Sequence, residues 1–271
     1  MSETISLFSR QIILIAVVLI LHTYIGLHII RRSLIFSDLV LDQLAAFGVL
    51  IGVALHIQYG SALSYFMAMA AVLFGSLLLA LLKPKSREIP REVVIGILYA
   101  MAIIFSLLLT DKLPGGQMYV EKTLSGYMEW VSWSLVTVTI IVYILLLMFH
   151  YILRKKFIAL AENPKRLKNE IIWDFIFFTT QGIITVLIVP IAGVLLAYAF
   201  LMIPAAIAAM FTKRWIGAVI IGWSIGFFAC LIGLSSSYIF GFTYGPSLVL
   251  SLGAFFVIAA IIRSLKFSRG N

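Results

Sequence analysis

Charged residues are scarce in this chain, and their scarcity identifies the solvent around it. Asp, Glu, Lys and Arg make up 11% of the 271 residues, whereas about a quarter is usual for soluble domains. Hydrophobic residues reach 63%, and the mean hydropathy is +1.13. Apolar runs of about twenty residues recur from end to end, and each can cross about 30 Å of hydrocarbon. The composition predicts one all-α transmembrane domain over residues 1–271, a polytopic helical bundle.

Several chemical signatures are also missing. The single cysteine, Cys230, lies inside an apolar run, which excludes an intramolecular disulfide and a cluster of thiolate metal ligands. The sequence has no His-Glu-x-x-His pair, which argues against a zinc protease. It also has no Walker A motif, so any role driven by ATP requires a separate ATPase. We therefore predict a transport subunit and not an enzyme.

The apolar runs define the expected spans. They are Gln11–Ile30, Val40–Leu55, Ala62–Leu82, Val93–Leu109, Val131–Leu153, Ile171–Phe211, Trp215–Phe240 and Ser247–Ile262. At 1.5 Å per residue, Ile171–Phe211 is about twice as long as one crossing requires. Pro190, Ala192 and Gly193 mark the expected break into two helices. We predict nine spans; the alternative is eight, with one long kinked helix followed by a short re-entrant piece.

The distribution of basic residues favours nine spans. With an external N-terminus, three of the 20 Lys and Arg residues fall outside (Arg10, Lys112 and Lys122), and the other seventeen face the cytoplasm. This is a strong positive-inside signal, and it explains the net charge of +9 by contact with anionic lipid and not with nucleic acid. Eight spans would place Lys213 and Arg214, or the basic C-terminus, on the wrong side. We expect a multi-pass inner-membrane protein with a cytoplasmic C-terminus.

Two connecting segments are more than simple turns. Residues 111–130 contain a Pro-Gly-Gly turn followed by apolar side chains among charges, which predicts a short amphipathic helix on the outer surface. Residues 154–170 are basic and are interrupted by Asn163–Pro164, with helix propensity on both sides. Two interpretations of this second segment remain open: a plain cytoplasmic connector, or a docking element for a cytoplasmic partner.

Acidic side chains inside a span are costly unless they face a partner or a cavity. Asp38 and Asp42 are four residues apart and so share one helix face, and Gln43 lies beside them. Their oxygen atoms suit Mn²⁺, Mg²⁺ or Ca²⁺, which predicts a transient metal site on a substrate pathway. The alternative is a structural salt bridge from these acids to Arg31 or Arg32.

Other polar residues in the spans are weaker candidates. His22, in the first span, is a possible pathway residue, although a packed and hydrogen-bonded histidine is the commoner situation. Thr179, Thr180 and Gln181 form a polar patch in the sixth span. Helix–helix hydrogen bonding explains this patch as well as a pore lining does.

Several stretches together resemble a known family. They are Ile30-Arg-Arg32, Leu41-Asp-Gln-Leu-Ala-Ala-Phe-Gly-Val-Leu-Ile-Gly52, Trp173-Asp-Phe-Ile-Phe-Phe178, the block from Ile191 to Ala208, and Tyr244-Gly-Pro-Ser-Leu-Val-Leu250. In this order they resemble the zinc/manganese/iron ABC permease family, the ABC-3 family. The resemblance implies the permease subunit of a bacterial ABC importer for a divalent metal ion.

The resemblance also implies partners. Two permease subunits would form a homodimer, joined by two cytoplasmic ATPase subunits that bind ATP and by an extracytoplasmic metal-binding protein. Residues 154–170 would hold the element that couples to the ATPase, through Ala161, Glu162, Asn163, Pro164 and Leu167. The metal ion is the cargo, and no stably bound cofactor is expected.

The second span departs from the family pattern. Members usually carry Leu-Ser-His-Ala-Ala-Leu-Pro-Gly-Val preceded by an Asp, and this Asp and His line the metal pathway. Ungapped alignment places Gln43 at the His position and Leu39 at the Asp position; a shift of one residue places Asp42 and Asp38 there instead. Both alignments lose the imidazole, which weakens the expectation of Zn²⁺.

Two other functions remain as alternatives. The first is a stand-alone secondary transporter or channel that uses the intramembrane aspartates as an ion or proton relay. An inverted repeat would favour it, and the sequence has no convincing one. The second is a membrane anchor for a soluble complex, in which the polar residues of the second span would have no purpose.

Overall fold

The computed structural model describes residues 2–84, 88–126 and 131–268, and within these ranges it is helical with no β-strand. Eight of the helices are long and apolar enough to cross a membrane, which confirms the predicted all-α transmembrane class. The helices are α1 (Ser2–Arg31), α2 (Ser37–Ala54), α3 (Ala62–Leu81), α4 (Arg91–Thr110), α5 (Gly116–Ser125), α6 (Trp133–Ile152), α7 (Arg154–Glu162), α8 (Glu170–Phe211), α9 (Trp215–Phe240) and α10 (Tyr244–Ser268), with a 3₁₀ turn at Pro164–Arg166.

The longest helix, α8, is interrupted where the sequence predicts a break. It has 42 residues, and the backbone of Gly193 is non-helical, with φ 74° and ψ 164°. Glycine adopts this φ at little cost, because it has no Cβ. The parts Glu170–Ala192 and Val194–Phe211 each reach the length of one crossing. The position of the break is therefore confirmed, while the number of spans stays a prediction.

The chain forms two compact units. The first contains the described residues within Met1–Ile30, Tyr127–Leu145 and Tyr198–Asn271. The second contains those within Arg31–Gly126 and Leu146–Ala197.

In the first unit, small residues allow α9 to approach its neighbours closely. A Cβ on Gly222 would lie 2.7 Å from the carbonyl oxygen of Pro204, and one on Gly226 would lie 2.8 Å from the Pro204 ring. Residues 222–226 also have the Gly-x-Ser-x-Gly spacing of hydrolase nucleophile elbows, which lie at a strand-to-helix turn. Here the stretch is in the middle of α9, and its glycines serve helix packing.

Cross-helix contacts give the directions of helices in the first unit. His22 of α1 lies beside Phe200 of α8, and Gly26 lies beside Leu201 and Ala205. Residue numbers increase in the same direction along the two helices, so α1 runs parallel to the end of α8. The antiparallel neighbour of α1 is α9, because its hydrogen bonds to α1 pair residues in opposite order: Trp223 with Ala16 and Tyr238 with Gln11.

In the second unit, α2 packs against α3 and α4. Gly48 of α2 permits close approach to α3, since a Cβ there would lie 2.8 Å from the Cα of Ala68. At the far end of α2, the ring centroids of Tyr59 and Tyr119 are 6.1 Å apart, and the Lys122 ammonium lies 5.6 Å from the Tyr59 ring. These contacts connect α5 to the loop between α2 and α3.

The external segment predicted over residues 111–130 contains a helix, α5. It follows the Pro-Gly-Gly turn, and the backbone of Gly126 at its end packs against Gly193 at the break in α8. Gly126 also has a positive φ of 66°. Tyr127 and Met128, which belong to the predicted amphipathic pattern, lie outside the described residues. Placement of α5 on the outer surface stays a prediction.

Candidate functional site

Two rungs of hydrogen bonds join α2 to α8 in the second unit. Gln181 Nε2 donates to Asp38 Oδ1 at 2.9 Å, and Thr185 Oγ1 donates to Asp42 Oδ1 at 2.9 Å. The partners are four residues apart on both helices and occur in the same order, so α2 and the first part of α8 run parallel. We call these four residues the acidic ladder. Asp38 and Asp42 share one face of α2, as their spacing predicts.

The acidic ladder is buried and incompletely satisfied. Its four residues are at most 2% exposed. Within the described part of the chain, Oδ2 of Asp38, Oδ2 of Asp42 and Oε1 of Gln181 have no hydrogen-bond partner. Unpaired buried oxygens are costly, and more so when they carry charge. The arrangement therefore has unused capacity to bind a cation through oxygen atoms.

Gln43 does not belong to the acidic ladder. Its Nε2 donates to Ser106 Oγ of α4 at 2.9 Å, and that hydroxyl donates to the carbonyl of Ala102. Consecutive helix residues point about 100° apart, so Gln43 faces α4 whereas Asp42 faces α8. The structure brings together the two aspartates of the predicted trio and directs the amide to another helix.

The alternative salt bridge to the arginines is contradicted. Arg31 pairs with Glu162 at 3.1 Å, and Arg32 pairs with Asp174. Across the residues that the structure describes, Asp38 and Asp42 have no ion pair with a basic side chain. Their hydrogen bonds come instead from the amide and the hydroxyl on α8.

Asp174 gathers three cations at the start of α8. It is fully buried and pairs with Arg32, Lys83 and Arg91, and Lys83 also pairs with Glu170 at 2.7 Å. Burial lowers the pKa of Arg32, and the charge of Asp174 opposes that shift. We call these five residues the Asp174 network. It brings the residue before α2, the connector after α3 and the starts of α4 and α8 together at one end of the second unit.

Sequence reasoning missed the role of Asp174. The residue stands only four positions into a long apolar run, directly after Trp173, so an acidic group at a span end was a visible signal. Its cationic partners, however, come from two segments distant in the chain, the one before α2 and the one between α3 and α4. Spacing along one helix does not reveal them.

His22 lies in the first unit and is packed and hydrogen-bonded. It is 2% exposed, and its Nδ1 lies 3.1 Å from the carbonyl oxygen of Val18 and 3.4 Å from the hydroxyl of Tyr143. The His22 and Tyr143 rings are stacked, with centroids 5.9 Å apart. A pathway role for His22 stays a prediction.

The segment 154–170 begins with a short helix, α7, that one aromatic side chain anchors. Phe157 is fully buried, and its ring stacks on His150 at 4.1 Å and lies 6.3 Å from the ring of Phe177. The predicted coupling residues are exposed or half-buried; they are Ala161, Glu162, Asn163, Pro164 and Leu167. The helix thus has one buried side and leaves its C-terminal end accessible.

A resident metal cluster is absent from the described part of the chain. No three His, Cys, Asp or Glu side chains come together there in a way that could hold a metal ion. Ion binding at the acidic ladder would therefore use two carboxylates with neutral oxygen donors. Such a donor set suits a passing hard cation better than a tightly held soft one.

Comparison with known proteins identifies the family. The model of the ABC 3 transport family matches residues 5–263 of the chain. The chain belongs to this family. The resemblance inferred from the sequence is therefore confirmed, and with it the assignment to multi-pass transport proteins of the bacterial inner membrane.

The individual proteins that resemble this chain are only distantly similar to it in sequence. The manganese transport system membrane protein MntC of Listeria innocua is 27% identical over 224 residues, which cover 78% of this chain and 79% of that protein. The uncharacterized membrane protein slr2045 of Synechocystis is 24% identical over 180 residues, and the match covers 64% of this chain but only 63% of that relative. The PsaBC complex of Streptococcus pneumoniae, solved with a Fab, contains a chain that matches this one with a TM-score of 0.76 at 20% identity. The match covers 93% of this chain and 90% of the matched one. At this identity the likeness shows the fold alone.

Proposed function

We propose that this protein is the membrane-spanning permease subunit of an ABC importer that moves a divalent metal ion into the cytoplasm. Membership of the ABC 3 transport family supports the transport role, and the likeness to a manganese transport membrane protein supports a metal substrate. Because the chain has no Walker A motif, a separate ATPase hydrolyses the ATP. The proposed assembly has two permease subunits, two ATPase subunits and an extracytoplasmic metal-binding protein.

The acidic ladder is the observation that carries the proposal for the substrate. Asp38 and Asp42 lie about one helical turn apart, about 6 Å along the axis, and each keeps one oxygen free of partners in the described part of the chain. Two close carboxylates repel each other unless a cation or a proton neutralises them. A divalent ion neutralises both, and its binding offsets part of the cost of burying them.

The chemistry of the ladder favours a hard ion. All of its unpartnered atoms that could bind a metal are oxygens, and oxygen ligands suit Mn²⁺ better than Zn²⁺. Among metals of the Mn, Zn and Fe class, we therefore propose Mn²⁺ as the preferred cargo. Gln43 and His22 are proposed as further pathway residues on the basis of the sequence alone.

The coupling role of residues 154–170 is proposed on separate grounds. The helix α7 is short, exposed at its C-terminal end and followed by the 3₁₀ turn at Pro164–Arg166. Its buried face is attached to α6 and α8 through Phe157. A helix held in this way can receive a partner on one side and move with the spans on the other.

The variant Asp42→Asn tests the proposed pathway, because it removes a charge and nearly preserves shape. Uptake of Mn²⁺ by cells or proteoliposomes that contain the complete transporter should fall at least tenfold, whereas expression and copurification with the ATPase should not change. The matched control is Asp111→Asn, at an exposed aspartate after α4, which should transport normally. Well-expressed Asp42→Asn protein with normal uptake would defeat the proposal, and uptake that persists without the ATPase would favour a secondary transporter.

A further inference from the structure

We propose that Gln181 of α8 supplies a third oxygen to the transported ion, so that the ion binds between α2 and α8 and not on α2 alone. This inference rests on the proposed function and extends it to a residue on a second helix. It assigns to Gln181 a direct contact with the cargo and a part in metal selectivity.

Only one of the two polar atoms of the Gln181 side-chain amide is hydrogen-bonded within the described part of the chain. Gln181 is fully buried, and its Nε2 donates to Asp38 Oδ1 at 2.9 Å. Oε1 is bonded to the same carbon as Nε2, so it is held beside the Asp38 carboxylate. In the described part of the chain this Oε1 has no hydrogen-bond partner.

A purely structural role does not account for this oxygen. Joining two helices requires only a donor to the carboxylate, and Thr185 on the next turn shows this simpler solution by donating its hydroxyl to Asp42. A buried acceptor without a partner destabilises the fold, because it has given up its hydrogen bonds to water. A site that receives a cation explains why the side chain is an amide with an unused oxygen and not a second hydroxyl.

Three oxygens of the ladder then have one common use. They are Oδ2 of Asp38, Oδ2 of Asp42 and Oε1 of Gln181, and all are buried and unpartnered within the described residues. Hard divalent ions take about six or more oxygen ligands and accept carboxylate, amide and water together. A neutral amide adds a ligand without a third negative charge, which keeps binding weak enough for release.

The parallel helices also give the ladder an order. The Asp38–Gln181 rung lies one turn nearer the start of both helices than the Asp42–Thr185 rung, and it is therefore nearer the Asp174 network. With that end in the cytoplasm, an imported ion meets Asp42 first and Gln181 last. Because the last rung has ligands on both helices, separation of α8 from α2 weakens binding at the exit.

Two variants of Gln181 in the complete transporter test the inference. Gln181→Leu removes the oxygen and should raise the KM for Mn²⁺ uptake at least tenfold and weaken Mn²⁺ binding to the detergent-solubilised complex. Gln181→His keeps a ring N–H for Asp38 but replaces the free oxygen by nitrogen, a borderline-soft ligand. It should shift the ratio of Zn²⁺ to Mn²⁺ binding at least tenfold towards Zn²⁺. Thr139→Val is the matched control; it removes a buried hydroxyl of α6 that donates to the carbonyl of Leu135 and lies outside the ladder, and it should leave the KM and the metal preference unchanged.

The outcomes separate this inference from the proposed function. If Asp42→Asn abolishes uptake while Gln181→Leu is folded and has normal KM and Mn²⁺ binding, the inference is wrong and the pathway stands. If Gln181→Leu does not assemble, Gln181→His decides, because an unchanged metal preference in that variant would overturn the inference. Normal uptake by Asp42→Asn would defeat the proposed pathway itself.

Discussion

The Asp174 network makes a quantitative prediction about stability. Asp174→Asn preserves the shape of the side chain and removes the charge that faces Arg32, Lys83 and Arg91. Lys83 keeps Glu170 at 2.7 Å and is 23% exposed, so it retains an anion and some water. Arg32 is 7% exposed and loses the carboxylate with which it pairs in the described structure. The main penalty therefore falls on Arg32.

The magnitude follows from this difference in burial. Breaking a buried ion pair by removing one partner costs about 3–5 kcal/mol, whereas the more exposed cations contribute about 0–1 kcal/mol each. The Arg32 guanidinium lies 5.1 Å from the Phe177 ring and 5.8 Å from the Phe178 ring, but these contacts exist before and after the substitution and do not reduce the loss. From the loss of the Arg32 pair alone we expect about 3–5 kcal/mol, which lowers the folded-to-unfolded ratio roughly 150- to 5000-fold.

Reversible unfolding in mixed detergent micelles measures this loss. The double variant Arg32→Met with Asp174→Leu should recover most of it, because replacing a buried ion pair by apolar groups of similar volume is often neutral or stabilising. Wild-type stability of Asp174→Asn would refute the reasoning. The reasoning would also be refuted if the double variant were less stable than both Arg32→Met alone and Asp174→Leu alone. The losses in the single variants could then not come from a buried charge left without its partner.

Three further predictions concern topology, the break in α8 and coupling. Cysteines introduced at Ser2 and Ser268 should be labelled from opposite sides of the membrane, against a low background because Cys230 is buried; labelling from the same side would mean an even number of spans. Gly193→Ala should destabilise the protein by at least about 1–2 kcal/mol in the same unfolding assay, because φ is 74° there. Gly253→Ala, in open space on a helix, should be neutral or stabilising; equal effects would contradict the argument from φ. Phe157→Ala should lower the amount of metal transported per ATP hydrolysed, and an unchanged ratio would leave residues 154–170 as a plain connector.

Features that depend on short stretches of the chain could be predicted from the sequence. The run Ala62–Leu82 became α3, Ala62–Leu81, because hydrophobic length alone determines whether a helix can span a bilayer. The break at Gly193 was also predictable, since Pro190 and glycine interrupt a run too long for one crossing. These signals do not depend on what lies opposite the helix.

The partners across the helices could not be predicted in the same way. The spacing of Asp38 and Asp42 shows that they share a face, but it does not show that α8 lies against it. The hydrogen bond from Gln181 to Asp38 joins residues 143 positions apart. From the sequence alone, helix–helix hydrogen bonding and a pore lining explained Gln181 equally well. Arg32 was likewise a reasonable partner for Asp38 until the structure placed Asp174 beside it.

The same contacts indicate how a movement of α7 can reach the acidic ladder. Phe157 of α7 packs against Phe177 of α8, and Gln181 lies one helical turn further along α8, where it donates to Asp38. Because a helix is stiff over a single turn, displacement of Phe177 displaces Gln181 relative to α2. Physical continuity alone does not establish coupling, which requires that both sites bias one element. We propose that in this protein that element is the start of α8: the Asp174 network holds it in place, the ATPase would act on it through α7, and the ion would bind it through Gln181.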